Sequence, residues 1–298
     1  MPDAAFRSGQ EQLVHRNAHA IGVTTWEGDG PPLLLTHGAG MCTGVFEPVV
    51  PLLLGDWSVI AIDLRGHGSS DVPSDEDPHG LPTQAADLLA VLDHLGHQRV
   101  SVFGHSYGGS VVIRALIDQP DRFDAVAVYE PALGHPDDDL DVLAERAGHF
   151  TSRIIERDDR WSDREALIEG LRSIRAFREL DPAFLEALVD HGSTVDGDGS
   201  WRMRCTPQVE AALFRISLSD IGGRGMQPEL RHLSEARAPF RLLCGDGSGF
   251  RLGLYGSVAA LAGVPLTVVE GHHFGPFRSP EVFADLVRRF VPPPADRP

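Results

Sequence analysis

The chain has 298 residues, with 26 basic side chains against 43 acidic ones, a formal charge of −17 at pH 7. Hydrophobic residues make up 42% and charged residues 23%, a globular balance in a chain long enough to bury most of its unfolded surface. That acidity argues against nucleic acid or an anionic membrane as the main partner, and no apolar run of about 18 residues offers a transmembrane helix. The opening stretch, MPDAAFRSGQEQLVHR, has no basic segment followed by an apolar one. A secretory signal is therefore not expected, and the expected location is the cytoplasm. All 26 basic residues are arginine, which excludes Schiff-base lysine chemistry and suggests a GC-rich bacterial genome. Cys42, Cys205 and Cys244 are odd in number and far apart, so neither a disulfide framework nor a zinc site is expected. They read as small buried residues.

In chain order, Leu13-Val14 and Ala20–Thr25 suggest an edge hairpin. Short apolar runs follow at Leu33–Thr36, Val59–Ile62, Val100–Phe103, Ala125–Tyr129, Phe240–Cys244 and Leu266–Val269, each closed by turn residues. Such runs are the pattern of strands buried on both faces of a parallel sheet. Helical spacing is expected over Thr83–Leu95, Tyr107–Asp118 and Pro280–Phe290, the last with proline in its first turn. Strand–helix alternation of this kind predicts an α/β fold. Between Ala132 and Ala238 the rhythm breaks: apolar spacing becomes helical, as in Leu167, Leu171 and Ile174, and no buried strand stands out. An interval that long is a structure of its own rather than a loop. It reads as a helical cap over 132–238, with 1–131 and 239–298 forming the core, and with Asp196–Gly199 as a turn inside the cap. The tail PPPADRP is expected to be disordered.

The sharpest chemical signal is Gly104-His105-Ser106-Tyr107-Gly108, a G-x-S-x-G between an expected strand and an expected helix. A turn that tight strains the central residue, and flanking glycines remove the clashes. Ser106 is thereby raised to the top of the sheet at a helix N-terminus, where amides and dipole favour a developing anion. His37-Gly38-Ala39-Gly40 follows the Leu33–Thr36 strand and can aim the Ala39 N–H at a carbonyl under attack. With the Tyr107 N–H it would form a two-donor oxyanion hole. His37 itself reads as structural.

These two motifs, with Asp63-Leu64-Arg65-Gly66-His67-Gly68-Ser69 after the fourth strand, together resemble the α/β-hydrolase family, over about residues 12–292. The likeness is greatest to its esterase, lactonase and epoxide-hydrolase-like branch. It implies a mostly parallel eight-stranded sheet with helices on both faces and a cap inserted after the sixth strand. In that family the Asp63–Ser69 motif is a structural turn, and His67 is given no catalytic role. The resemblance also implies the order nucleophile, acid, histidine. The base then falls in Glu270-Gly271-His272-His273-Phe274. His273 is favoured because Phe274 follows it and Pro280-Glu281 opens the next helix, and His272 stays open as the alternative. Neutral imidazole suits the task, since its pKa lies near operating pH.

The acid departs from the family's usual Gly-x-x-Asp. After Cys244 the chain reads Gly245-Asp246-Gly247-Ser248, so serine stands at the expected position and Asp246 comes two residues early. Tyr129-Glu130-Pro131 closes the sixth strand, and zearalenone lactonases and some haloalkane dehalogenases resemble this in placing their acid there. Glu130 is favoured, with Asp246 as the alternative. Epoxide hydrolases and haloalkane dehalogenases of this fold attack with aspartate, so Ser106 points instead to acyl transfer on an ester, lactone, thioester or amide. The expected enzyme is a carboxylic ester or lactone hydrolase acting on a small-molecule substrate. A serine-dependent C–C hydrolase or perhydrolase, or a ligand-sensing receptor with a retained triad, are the other classes left open. No metal and no cofactor are expected, because the histidines lack ligand spacing and no G-x-G-x-x-G follows the first strand. Monomer and homodimer both stay open.

Within the cap, Trp161 and Trp201 are the candidates for substrate binding, with Phe150, Phe177, Phe184 and Phe214 as further apolar candidates for pocket or cap core. Asp137-Asp138-Asp139 reads as a solvated loop or helix start. Arg153, Arg157, Arg160 and Arg164 could bind a carboxylate, but with Glu156, Asp158 and Asp159 beside them they read more simply as a solvated helix face.

Overall fold

The structure, a computed structural model, describes residues 9–74, 80–134, 140–174, 177–221, 227–248 and 251–294. Its first half runs β1 (Gln10–Arg16), β2 (His19–Trp26), β3 (Pro32–Thr36), the one-turn α1 (Val50–Leu53), β4 (Ser58–Ile62), α2 (Leu81–His94), β5 (Val100–His105), α3 (Ser106–Asp118) and β6 (Phe123–Tyr129). The chain then leaves the sheet through α4 (Leu140–Ile155), α5 (Arg164–Ser173), α6 (Pro182–Gly192), β7 (Ser193–Val195), β8 (Trp201–Met203), α7 (Pro207–Ile221) and α8 (Gln227–Leu230). It returns with β9 (Phe240–Gly245), α9 (Arg251–Ala262), β10 (Leu266–Val269) and α10 (Pro280–Phe290). Asp137-Asp138-Asp139, the side chain of Phe150 and the last four residues of the tail lie outside the described residues. No described helix is long and apolar enough to cross a membrane.

Eight strands form one sheet in the order β1-β2-β4-β3-β5-β6-β9-β10. β2 runs antiparallel to both its neighbours, and the other pairs are parallel. In register, Leu34 of β3 lies between Ile60 of β4 and Val102 of β5. These residues join Val126 and Leu242 in a core layer beneath α2, α3 and α9. Their neighbours Leu33, Leu35, Val59, Phe103 and Ala127 face the other way, onto Phe283 and Val287 of α10. Central strands are therefore covered on both faces, which is why they read as unbroken apolar runs. Leu266–Val269 is different: β10 is an edge strand with Val268 47% exposed, so the expectation of burial on both faces fails there.

The excursion between β6 and β9 contains an element the apolar spacing does not announce. β7 and β8 pair as a hairpin of three residues a side, and the Asp196–Gly199 turn closes it through Asp196 N–H to the Ser200 carbonyl at 2.8 Å. A strand that short carries no legible alternation. Helix α6 docks the excursion onto the core: Phe184 meets Phe277 edge-on at 5.3 Å, and the Asp181 N–H donates to the Phe277 carbonyl at 2.9 Å.

The end of α6 is held electrostatically as well. His191 Nε2 lies 3.0 Å from Glu47 and its Nδ1 3.6 Å from Glu11, and the hydrogen bond to Glu47 leads the effects that raise its pKa. A histidine whose folded pKa is raised stabilises the fold fully below its unfolded pKa of about 6.5 and loses that contribution as pH climbs through the folded value. The groups are partly exposed, so solvent screening limits the effect to about 0.5 kcal/mol. His191→Gln should therefore lower the Tm slightly at pH 6 and leave it unchanged at pH 9. Equal Tm differences at the two pH values would contradict this.

Candidate active site

The carboxyl ends of β3, β5, β6 and β10 lie at one edge of the parallel sheet, where open α/β sheets leave a crevice. β5 runs straight into α3, and Ser106 at the junction has φ +52°. A Cβ on Gly108 would stand 2.4 Å from the His37 carbonyl oxygen, and one on Gly104 would stand 2.9 Å from the Gly109 Cα. Only glycine fits either place, which is the physical content of the G-x-S-x-G spacing. Close approach also lets the Gly108 N–H donate to the His37 carbonyl at 3.1 Å, tying the β3 turn to α3.

Ser106 Oγ lies 3.0 Å from His273 Nε2, and His273 Nδ1 lies 2.9 Å from Glu130 Oε2. A carboxylate only accepts, so Nδ1 carries the proton and Nε2 is left to accept from the serine hydroxyl. The histidine loop is held from below at two successive carbonyls. His105 Nε2 donates to the His273 carbonyl at 2.8 Å, and the Tyr129 hydroxyl to the His272 carbonyl at 2.7 Å. With the backbone fixed in this way, His273 turns to Ser106 and His272 turns out to Glu179, 2.8 Å from its Nδ1.

Glu130 is fully buried and, like Ser106, has positive φ, +43°. Its Oε1 accepts from the Gly245 N–H at 3.0 Å, from the Ser248 hydroxyl, and from the Cys244 thiol at 3.6 Å. Burial pushes its pKa up, but the hydrogen bonds from His273 and Ser248, the His273 charge and the Gly245 amide outweigh this and bring it down to about 2. Asp246, the alternative acid, touches neither histidine. Its Oδ1 caps the Gly271 N–H at 3.0 Å.

The Ala39 N–H makes no hydrogen bond to the described residues, and Tyr107 lies in the first turn of α3, where helix amides have no intrahelical acceptor. Two buried histidines shape the turn that carries Ala39. His67 Nε2 accepts the Gly40 N–H at 3.0 Å, and His37 Nε2 accepts the Leu64 N–H at 3.2 Å. Burial lowers their pKa values, to about 3 for His67 and about 4 for His37, so both stay neutral and able to accept. Asp63 braces the same turn, accepting the Thr43 N–H at 2.7 Å and the Ser69 N–H at 2.9 Å.

Above this floor a cleft of about 420 Å³, its open mouth included, runs from Gly40 between Trp161, Leu171, Ile174 and Phe177. Phe177 packs at 6.1 Å on Phe274, which meets the His273 ring edge-on at 5.0 Å, so Phe274 links the cleft wall to the histidine. Trp161 lines it. Trp201 does not; its backbone pairs with Trp161 instead, at 2.8 and 2.9 Å. Phe184 is core, packed on Phe277, and Phe214 lies half-buried on α7. The arginines expected to pair along their own helix reach further: Arg160 to Asp196 at 2.9 Å, Arg164 to Asp190 at 2.5 Å, and Arg157 to Glu210. Glu210 lines the cleft; burial raises its carboxyl pKa, and Arg157 opposes the rise.

Three features escape sequence reasoning: the Ser248 hydroxyl on Glu130, the His67 acceptor under Gly40, and the Arg157–Glu210 pair. Ser248 carried one usable signal, since it occupies the position where the family's acid is expected.

A family model described as alpha/beta hydrolase fold matches residues 31–187. A serine hydrolase-like protein of Danio rerio is 26% identical over 283 residues, covering 89% of this chain and 82% of that one. A fluoroacetate dehalogenase of Burkholderia sp is 34% identical over 106 residues, about a third of either chain, 35% of each. Among solved structures, E-2-(acetamidomethylene)succinate hydrolase superposes with a TM-score of 0.79 at 22% identity, covering 95% of this chain and 99% of that one, a likeness of fold.

Proposed function

Because this chain belongs to the α/β-hydrolase family and is a hydrolase, we propose that it cleaves a small-to-medium, largely apolar carboxylic ester or lactone through an acyl-enzyme on Ser106. The observation that carries this reading is the unbroken hydrogen-bonded chain from Ser106 through His273 to Glu130. His273 Nε2 takes the hydroxyl proton as Ser106 Oγ attacks the carbonyl carbon, and the carbonyl π electrons move to oxygen. The Ala39 and Tyr107 amides receive that oxyanion. Glu130, ionised across the neutral range, keeps the proton on Nδ1 and stabilises the imidazolium. Collapse of the intermediate breaks the ester C–O bond, and the imidazolium hands its proton to the departing alkoxide. Water, deprotonated by the same nitrogen, then releases the acid and restores Ser106. Trp161, Leu171, Ile174 and Phe177 along the cleft favour a substrate with an apolar body.

The test is a panel of p-nitrophenyl esters of increasing acyl length together with aliphatic and aromatic lactones. At least one member should turn over at about one per second or faster. Hydrolysis of none would reject the acyl-hydrolase reading. On the best of these substrates, Ser248→Ala should lower kcat about tenfold with little change in KM, since a hydrogen bond to a charged group is lost. Ser248→Thr, which keeps the hydroxyl, should recover most of that loss. An unchanged kcat in Ser248→Ala would show that Gly245 and Cys244 hold Glu130 unaided.

A further inference from the structure

The Arg157–Glu210 pair differs from the other ion pairs of the excursion in where it stands. Glu210 belongs to the first turn of α7, and Arg157 follows the end of α4. Both line the cleft. Glu210 Oε2 lies directly over the oxyanion-side turn, 3.5 Å from where a Cβ on Gly40 would be. Arg157 Nε donates to the Ile154 carbonyl at 3.2 Å and Nη2 to Glu210 Oε2. Among the described residues, Arg157 Nη1 and Glu210 Oε1 have no hydrogen-bond partner, and neither is a fully buried atom, so both keep access to solvent on residues that line the cleft.

A cleft-facing ion pair thus keeps one donor and one acceptor side by side for whatever occupies the cleft. Partly desolvated pairs are favourable only when their remaining hydrogen-bonding capacity is met. A carboxylate there would find Nη1 but meet Glu210, with Asp158 and Asp159 on the rim beyond. An ammonium would find Oε1 but meet the guanidinium. A neutral group with a carbonyl and an N–H on one edge satisfies both at once.

Resting on the serine acyl-hydrolase reading, we propose that Arg157 and Glu210 form a recognition subsite for a primary carboxamide or lactam edge on the substrate. The carbonyl accepts from Arg157 Nη1, and the syn N–H donates to Glu210 Oε1. The site then selects neutral amide-bearing esters over charged analogues and over plain alkyl ones, because an apolar tail leaves both polar groups unpaired.

The experiment uses p-nitrophenyl esters whose acyl chains, at three lengths, end in carboxamide, carboxylate, ammonium or methyl. At the best length the wild type should show kcat/KM for the carboxamide about tenfold or more above each of the other three. Glu210→Gln removes the negative partner and should raise the carboxylate-to-carboxamide ratio about tenfold. Arg157→Gln should raise the ammonium-to-carboxamide ratio. Ratios within one variant are insensitive to a general loss of activity, and the wild-type preference stands if a variant fails to fold. A wild-type carboxamide no better than the methyl ester at any length, or ratios unmoved by both substitutions, would overturn the subsite. Absence of Ser106-dependent hydrolysis across the whole ester and lactone panel would instead remove the underlying serine reading.

Discussion

Ser106→Ala should abolish turnover, lowering kcat/KM on the best ester by at least about 10⁴-fold while the protein still folds. The reason is local. Ser106 is the side chain carried by the β5–α3 junction within 3.0 Å of His273 Nε2, and the backbone around it is fixed by Gly104, Gly108 and the His37 carbonyl rather than by its hydroxyl. Alanine keeps the cleft and the Ala39 and Tyr107 amides proposed to hold the oxyanion, so binding and polarisation should persist without a nucleophile. Steady-state kinetics with the folded variant, checked by circular dichroism, measures this. Retention of more than about one per cent of activity would place the nucleophile elsewhere.

The second large effect separates two carboxylates. Glu130→Gln should cost about 10³- to 10⁴-fold in kcat. The amide offers one acceptor where the carboxylate offers two, while His273, Gly245 and Ser248 all donate to this side chain. Placing the amide NH₂ against Nδ1 would favour the wrong imidazole tautomer, with the proton on Nε2 facing Ser106. Asp246→Asn should change kcat less than about threefold, because Asp246 only caps the Gly271 amide at an exposed turn. Comparable losses in the two variants, or a larger loss in Asp246→Asn, would reject Glu130 as the acid.

Much of this arrangement could be read from residue order, and the reasons are physical. The central strands are covered on both faces, so Leu33–Thr36, Val100–Phe103 and Ala125–Tyr129 appear as continuous apolar runs with turn residues at their carboxyl ends. The residues that motif and strand-end position single out, Ser106, His273 and Glu130, are the three the fold joins in one hydrogen-bonded chain. What stayed illegible depends on contacts distant in the chain. Ser248 is a serine in a glycine-rich turn until β9 sets it beside Glu130, 118 positions earlier. Arg157 sits among acidic neighbours that satisfy it on paper, yet its guanidinium turns to Glu210, 53 positions away. The β7–β8 hairpin is too short for alternation to show, and Trp201 reads as a pocket residue because nothing in its sequence reveals its backbone pairing with Trp161.

Whether Ser106 is an activated nucleophile is read out by exposing the folded chain to an alkyl fluorophosphonate and recording intact and peptide masses. Stoichiometric addition of one phosphonyl group is expected, mapped to Ser106 and strongly slowed in His273→Gln. No adduct, or an adduct on another residue, would contradict that role for Ser106.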